Sequence, residues 1–136
     1  MSKQLPPLAF RVRPQDIDGL LGQEEARNLL KDFAKGNLRS VMLWGPPGSG
    51  KTSVAGIVEG LYPDSYFTIH AVTGGVQEIR RVTAAAVRSE TKPIVFIDEI
   101  HRFNRVQQDA LLPFVENGTI ILIGATTENP SFAITS

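Results

Sequence analysis

Gly45-Pro46-Pro47-Gly48-Ser49-Gly50-Lys51-Thr52 has the spacing G-x-x-x-x-G-K-T, and the segments on either side of it decide the fold. Before it stands Val41-Met42-Leu43-Trp44, an apolar run of strand length, and after it Val54, Ile57, Val58 and Leu61 recur at helical spacing. Strand, loop and helix in that order are the setting in which this pattern cradles the phosphates of a nucleoside triphosphate. The loop glycines let successive N–H groups approach phosphate oxygens with no Cβ in the way. Lys51 opens the helix and reaches the β- and γ-phosphates as a point charge, while the Thr52 hydroxyl serves magnesium. The nucleotide-binding set is therefore Gly45, Pro46, Pro47, Gly48, Ser49, Gly50, Lys51, Thr52 and the next residue, Ser53.

Downstream, Ile94-Val95-Phe96-Ile97 is a continuous apolar run of the kind expected for a strand buried on both faces of a parallel sheet, and it ends in Asp98-Glu99. Four apolar residues followed by Asp-Glu form a Walker B pattern, which gains its force from the loop upstream. Asp98 is expected to hold magnesium, through water or the Thr52 shell, and Glu99 to orient and polarise an attacking water. A kinase would pass the phosphoryl group to a bound acceptor; a carboxylate at Glu99 favours water as the nucleophile. Thr126 and Thr127 offer hydroxyls near the γ-phosphate, with a plain turn after a strand as the competing reading. His70 is read as a hydrogen-bonded structural histidine, with a contact to Glu99 or phosphate as the alternative, and His101 as structural.

Bulk properties narrow little beyond this. The chain has 136 residues, 42% of them hydrophobic, enough for one domain with a sizeable core. Its 14 Lys plus Arg balance 14 Asp plus Glu, so no overall field favours nucleic acid or a membrane, and such a contact would need a local patch. With no cysteine there is neither disulfide nor thiolate metal site, and two separated histidines make zinc a poor fit. No run has the make-up of a signal peptide or the length of a membrane span, which suggests a cytoplasmic protein.

Taken in order, residues 1–22 form a proline-set, extended lead-in, and residues 23–136 the globular part. From Gln23 to Ala34 the positions Ala26, Leu29, Leu30 and Phe33 predict an amphipathic helix that Gly36 stops. Tyr66 to His70 is a second strand, and Thr73-Gly74-Gly75 turns it. A helix follows, with Val76, Ile79, Val82, Thr83, Ala86 and Val87 inward. Glu78, Arg80, Arg81 and Arg88 fall on its wet side, a solvated face with DNA contact as the lesser alternative.

Asn104 and Gln107 form a capping box for a last helix with Val106, Ala110, Leu111 and Phe114 on its apolar side. Pro113 is expected to bend that helix or interrupt its hydrogen bonds, and Asn117-Gly118 to close it. Thr119 to Gly124 is the fourth strand, ending in a polar tip from Ala125 to Pro130. Alternating strands and helices predict an α/β fold with a mostly parallel sheet. Lys51, Asp98, Glu99 and Thr127 each follow a predicted strand, and ligands in such sheets sit at the strands' carboxyl ends.

With these motifs the chain resembles the AAA+ ATPases. Leu43 to Gly48, Ala71 to Val76, Asp98 to Asn104 and Gly124 to Phe132 resemble the replication-associated recombination protein A family, whose eukaryotic relatives are the Werner-helicase-interacting ATPases. The last two of these motifs separate the family from clamp loaders and the Holliday-junction branch-migration motor. The resemblance runs from about Leu8 to the C-terminus. It implies a P-loop three-layer sandwich that hydrolyses ATP with Mg2+, with Leu21 and Gly22 in the adenine pocket and Thr127 at the sensor 1 position. It also implies homo-oligomers that act on DNA and bind single-strand-binding protein.

Family members are longer chains, so the resemblance implies a core that stops before the last sheet strand, the arginine finger and the helical lid. The first strand, Val41 to Trp44, would then be an unpaired edge open to self-association. An arginine finger is worth about 10³ to 10⁵ in rate, so this chain is expected to bind nucleotide with little turnover. A nucleotide-binding or protein-interaction role without hydrolysis, and a clamp-loader or branch-migration type of motor, stand as the alternatives.

Overall fold

The computed structural model describes residues 23–46 and 50–127, with side chains from Arg27 onward. Helix α1 (Gln23–Ala34) leads into β1 (Val41–Trp44), α2 (Lys51–Leu61), β2 (Tyr66–His70), α3 (Val76–Arg88) and β3 (Ile94–Asp98). A 3-10 turn (Ile100–Arg102), α4 (Arg105–Glu116) and β4 (Ile121–Thr126) complete the described chain. The lead-in, Leu21, Gly22, Pro47, Gly48, Ser49 and the tip from Glu128 onward lie outside the described residues.

The four strands form one parallel sheet in the order β1-β4-β3-β2. Side chains alternate across it, and both faces are covered. Val95 and Ile97 of β3 and Met42 of β1 pack with Ile79 and Val82 of α3 and Leu111 and Leu112 of α4. Ile94 and Phe96 of β3 and Val41 and Leu43 of β1 pack with Leu29 and Phe33 of α1 and Val54 and Val58 of α2. This is the expected α/β three-layer sandwich, and two covered faces explain why β3 is apolar at four consecutive positions. Among the described residues β1 pairs with β4 alone, so it occupies the expected edge.

Several local expectations shift. Strand β4 starts two residues later than predicted, because Thr119 N–H donates to Asn117 Oδ1 and Ile120 N–H to the Phe114 carbonyl, which ties both to the end of α4. It also runs on through Ala125 and Thr126, which pair with Leu43 and Trp44 of β1. Pro113 lies inside α4, which continues to Glu116, and its carbonyl accepts from Asn117 N–H at 3.1 Å. Proline lacks only its own donor, so within the last turn the loss stays local.

The inward faces are also rotated from those predicted. In α2, Ala55 joins Val54 and Val58 inside, while Ile57 and Leu61 are 50% and 40% exposed. In α3, Val87 is exposed, and Glu78 is half-buried rather than on the wet side. In α4, Val106 is exposed, and Gln107 and Gln108 are buried beside Leu111 and Leu112, with Ala110 and Phe114 only partly covered. Inside, both amides serve backbone carbonyls of buried residues. Gln107 Nε2 donates to the carbonyls of Ala71 and Gly74, and Gln108 Nε2 to that of Phe103.

Candidate functional site

The register of the sheet assembles the site. Trp44 lies opposite Thr126, Ala125 opposite Asp98, and Asp98 opposite His70, so the carboxyl ends of the four strands form one edge. Adjacent strands stand about 4.8 Å apart. The chain leaves β1 toward the face covered by α1 and α2, and leaves β3 toward the face covered by α3 and α4. The segments after β1 and β3 therefore part around the end of β4, the kind of crevice in which open parallel sheets take their ligands.

On the β1 side, Gly45 N–H donates to the Thr126 carbonyl at 3.2 Å, which ties the start of the loop to β4. Gly50 takes φ of 100°, a left-handed conformation that suits glycine, and its carbonyl accepts from Val54 N–H to begin α2. Lys51 is the first residue of that helix. Its ammonium donates to the carbonyls of Gly45 at 2.5 Å and Pro46 at 2.9 Å, bridging the two ends of the loop. Thr52 and Ser53 follow in the first helical turn, both exposed.

On the β3 side, Asp98 is the half-buried last residue of the strand, and its Oδ1 accepts Glu99 N–H at 2.9 Å. Glu99 has φ of 52° and ψ of 49°, the one non-glycine residue with positive φ among the described residues. Such a conformation persists only where the surroundings impose it, and it concentrates at functional positions. Here buried Ile100 and Phe103 pin the turn that follows. Glu99 thus leaves the strand abruptly, with its side chain about half exposed.

Between the two sides stands Thr126, buried at the end of β4. Its Oγ1 lies 2.7 Å from His101 Nδ1, and His101 Nε2 lies 3.9 Å from Glu99 Oε1. Thr127, one residue further, is exposed beyond the strand. His70 is at the same edge but exposed, with no hydrogen bond to its ring among the described residues; the end of β2 offers it no enclosure.

Lys51, Asp98, Glu99 and Thr127 therefore stand at one edge of the sheet, with Thr52 and Ser53 beside Lys51 in α2. The link from His101 to Thr126 was not legible in the sequence, because the two residues are distant there and meet only through the pairing of β3 with β4. The left-handed backbone of Glu99 left no signal either. The edge offers an ammonium, hydroxyls and two carboxylates, with a helix N-terminus on one side. That set suits a polyanion and a hard divalent cation.

The sequence pattern of the family described as the Holliday junction DNA helicase RuvB P-loop domain matches residues 12–135. Replication-associated recombination protein A of Escherichia coli K12 is 44% identical over 137 residues, spanning 96% of this chain and 31% of that protein. Its counterpart in Coxiella burnetii is 48% identical over 94% of this chain and 30% of its own length. The ATPase WRNIP1 of Dictyostelium discoideum is 44% identical over 97% of this chain and 16% of its own. The chain thus spans about a third or less of these relatives.

Among solved structures, the RuvB Holliday junction branch migration motor of Thermotoga maritima aligns with a TM-score of 0.59 at 27% identity, over 88% of this chain and 45% of that one. Together with the parallel sheet and the two phosphate-site motifs on its carboxyl edge, these matches show that the chain belongs to the RuvB-type P-loop domain family of the AAA+ ATPases, with replication-associated recombination protein A and WRNIP1 among its relatives.

Proposed function

We propose that this chain binds ATP at the carboxyl edge of its sheet and supports magnesium-dependent attack of water on the γ-phosphate. The observation that carries the reading is the register: the Walker A loop after β1 and the carboxylates after β3 flank the same strand end, that of β4. The loop from Gly45 to Thr52 and the N-terminus of α2 hold the phosphates, with Lys51 on the β- and γ-phosphates and Ser53 in the first helical turn. Leu21 and Gly22 contribute to the adenine pocket.

The donor set fits magnesium, since that ion takes one or two carboxylates plus substrate phosphates and keeps several waters. Thr52 and Asp98 are the residues to hold it. When bound, the ion neutralises charge on the β- and γ-phosphate oxygens. Glu99 orients a water and draws off its proton as the new O–P bond forms and the bond from the γ-phosphorus to the bridging oxygen breaks, releasing ADP and phosphate. Thr127 stands where a hydroxyl can hold that water or register the loss of the γ-phosphate.

Identities of 44% to replication-associated recombination protein A, against 27% to the RuvB motor, favour the former's work over branch migration. DNA, single-strand-binding protein and further copies of the chain are the proposed partners of the longer protein, in the cytoplasm. An arginine finger from a neighbouring copy would account for about 10³ to 10⁵ in rate, so the chain by itself is expected to bind ATP with little turnover.

Titration with labelled ATP and magnesium, followed by phosphate release on the same samples, tests this. Tight binding with negligible release is the expected result. Steady release abolished by Glu99→Gln would show that hydrolysis needs no such neighbour, and absence of binding would refute the reading of the loop.

A further inference from the structure

The Glu99 carboxylate is about half exposed and follows a left-handed backbone, whereas a water-orienting base has to be held in one place. His101 stands next to it and Thr126 next to His101, both on well-packed parts of the fold. Thr126 is the buried last residue of β4, paired on one side with β1. His101 lies in the 3-10 turn, between the buried side chains of Ile100 and Phe103, with 14% of its own side chain exposed. Its Nδ1 is 2.7 Å from Thr126 Oγ1, and its Nε2 is 3.9 Å from Glu99 Oε1.

A neutral imidazole carries one ring hydrogen, and the neighbours decide which nitrogen has it. A hydroxyl can donate or accept, but an ionised carboxylate can only accept. A hydrogen on Nδ1 would leave the lone pair of Nε2 aimed at a carboxylate. A hydrogen on Nε2 serves both sides, because Thr126 O–H then donates to Nδ1 while Nε2–H faces Glu99.

We propose that His101 is a positioning residue for Glu99: Thr126 holds the ring by Nδ1, and the Nε2–H so presented restrains the Glu99 carboxylate at the edge of the site. At 3.9 Å the restraint acts by charge and dipole, and a small change of the Glu99 rotamer or one bridging water converts it to a hydrogen bond. The proposal rests on the reading of Glu99 as the carboxylate that orients water. It gives the end of β4, where Thr127 begins, a side-chain route to that carboxylate.

Nuclear magnetic resonance of the isotope-labelled chain tests it without turnover. At pH about 8.5, above the ordinary imidazole range, long-range proton–nitrogen spectra report the tautomer of each ring, and His70→Gln assigns the two. The His101 ring is expected as the Nε2–H tautomer, with its Nε2 resonance moving in Glu99→Ala. An Nδ1–H tautomer, or an Nε2 resonance indifferent to Glu99→Ala, would overturn the proposal.

The carboxyl carbon resonance of Glu99 then separates positioning from support. Asn places a nitrogen where Nδ1 was, and Gln where Nε2 was. His101→Gln is expected to keep the Glu99 signal near its wild-type position and His101→Asn to move it to that of a freely exposed glutamate. The reverse pattern would mean that His101 only braces Thr126, and would overturn the proposal. Failure of the wild-type chain to bind ATP would fall on the proposed function alone, since neither spectrum requires nucleotide.

Discussion

The ammonium of Lys51 lies 2.5 Å from the carbonyl oxygen of Gly45, the residue that opens the loop the lysine closes. With its second bond to Pro46 at 2.9 Å, the side chain links the first turn of α2 to the two residues that follow β1. Lys51→Ala removes this bridge together with the charge proposed to meet the phosphates. Hydrogen bonds to charged groups are worth about 1.5–3 kcal/mol each, so ATP affinity should fall at least about tenfold. Titration with a fluorescent ATP analogue measures this; a dissociation constant within about twofold of wild type would contradict it.

Gln107 joins three parts of the chain. Its Nε2 donates to the carbonyls of Ala71 at 3.1 Å and Gly74 at 2.5 Å, and its Oε1 accepts Asn104 N–H at 2.8 Å in the capping box of α4. Gln107→Ala leaves the two buried carbonyls without this partner and should destabilise the fold by about 2 kcal/mol or more. Gln107→Glu should be worse, because it keeps the cap but faces two carbonyls with a carboxylate. Urea unfolding ranks the two, and equal stability of all three proteins would refute the role.

A Cβ on Gly124 would come within 2.7 Å of Met42 Sδ and 2.9 Å of Ile100 Cδ1, both on buried side chains. The flexible tips can give some room but not a branched side chain's worth. Gly124→Val should therefore lower stability by about 1–3 kcal/mol, with Met42→Ala in the same chain recovering part of it. Thermal melts of the single and double variants report the coupling.

Burial raises the ionisation of the Tyr66 phenol above its usual value of 10.0, with the negative charge of Glu59 adding to the rise and a hydrogen bond with Thr68 opposing it. The folded state thus keeps its proton where the unfolded chain loses it. This contribution to stability is whole below pH about 10 and is lost as pH rises from there through the folded value. Tyr66→Phe should flatten stability against pH above about 10, as followed by urea midpoints, and leave the neutral range unchanged in slope.

Much of the fold was legible because its signals are local. The phosphate loop sits between an apolar run and a helical period, the Asn104 and Gln107 cap is three residues wide, and the consecutive apolar positions of β3 announce a strand covered on both faces. Each of these is a property of adjacent residues, and the strand and helix flanking the loop, the cap and the covered strand appeared where expected. Boundaries and faces were less secure. Val106, Ile57 and Leu61 fit an apolar period yet lie exposed, because a period states that a helix has an inner side but not how wide a neighbour covers it.

From residue order alone, then, came the order of elements, the covered sheet and the candidate residues at its carboxyl edge. The tertiary structure decided which strand ends adjoin. By lying between β1 and β3, β4 brings Thr126 beside the loop through Gly45 and beside the carboxylates through His101. It also decided that Glu99 takes a left-handed backbone and that Gln107 and Gln108 turn inward. Packing of Ile100 and Phe103 imposes the Glu99 backbone, and the inward amides have a separate physical reason. Packing buries carbonyls such as those of Ala71 and Gly74, and the side chains that lie nearest must serve them, a demand that no local pattern of polarity encodes.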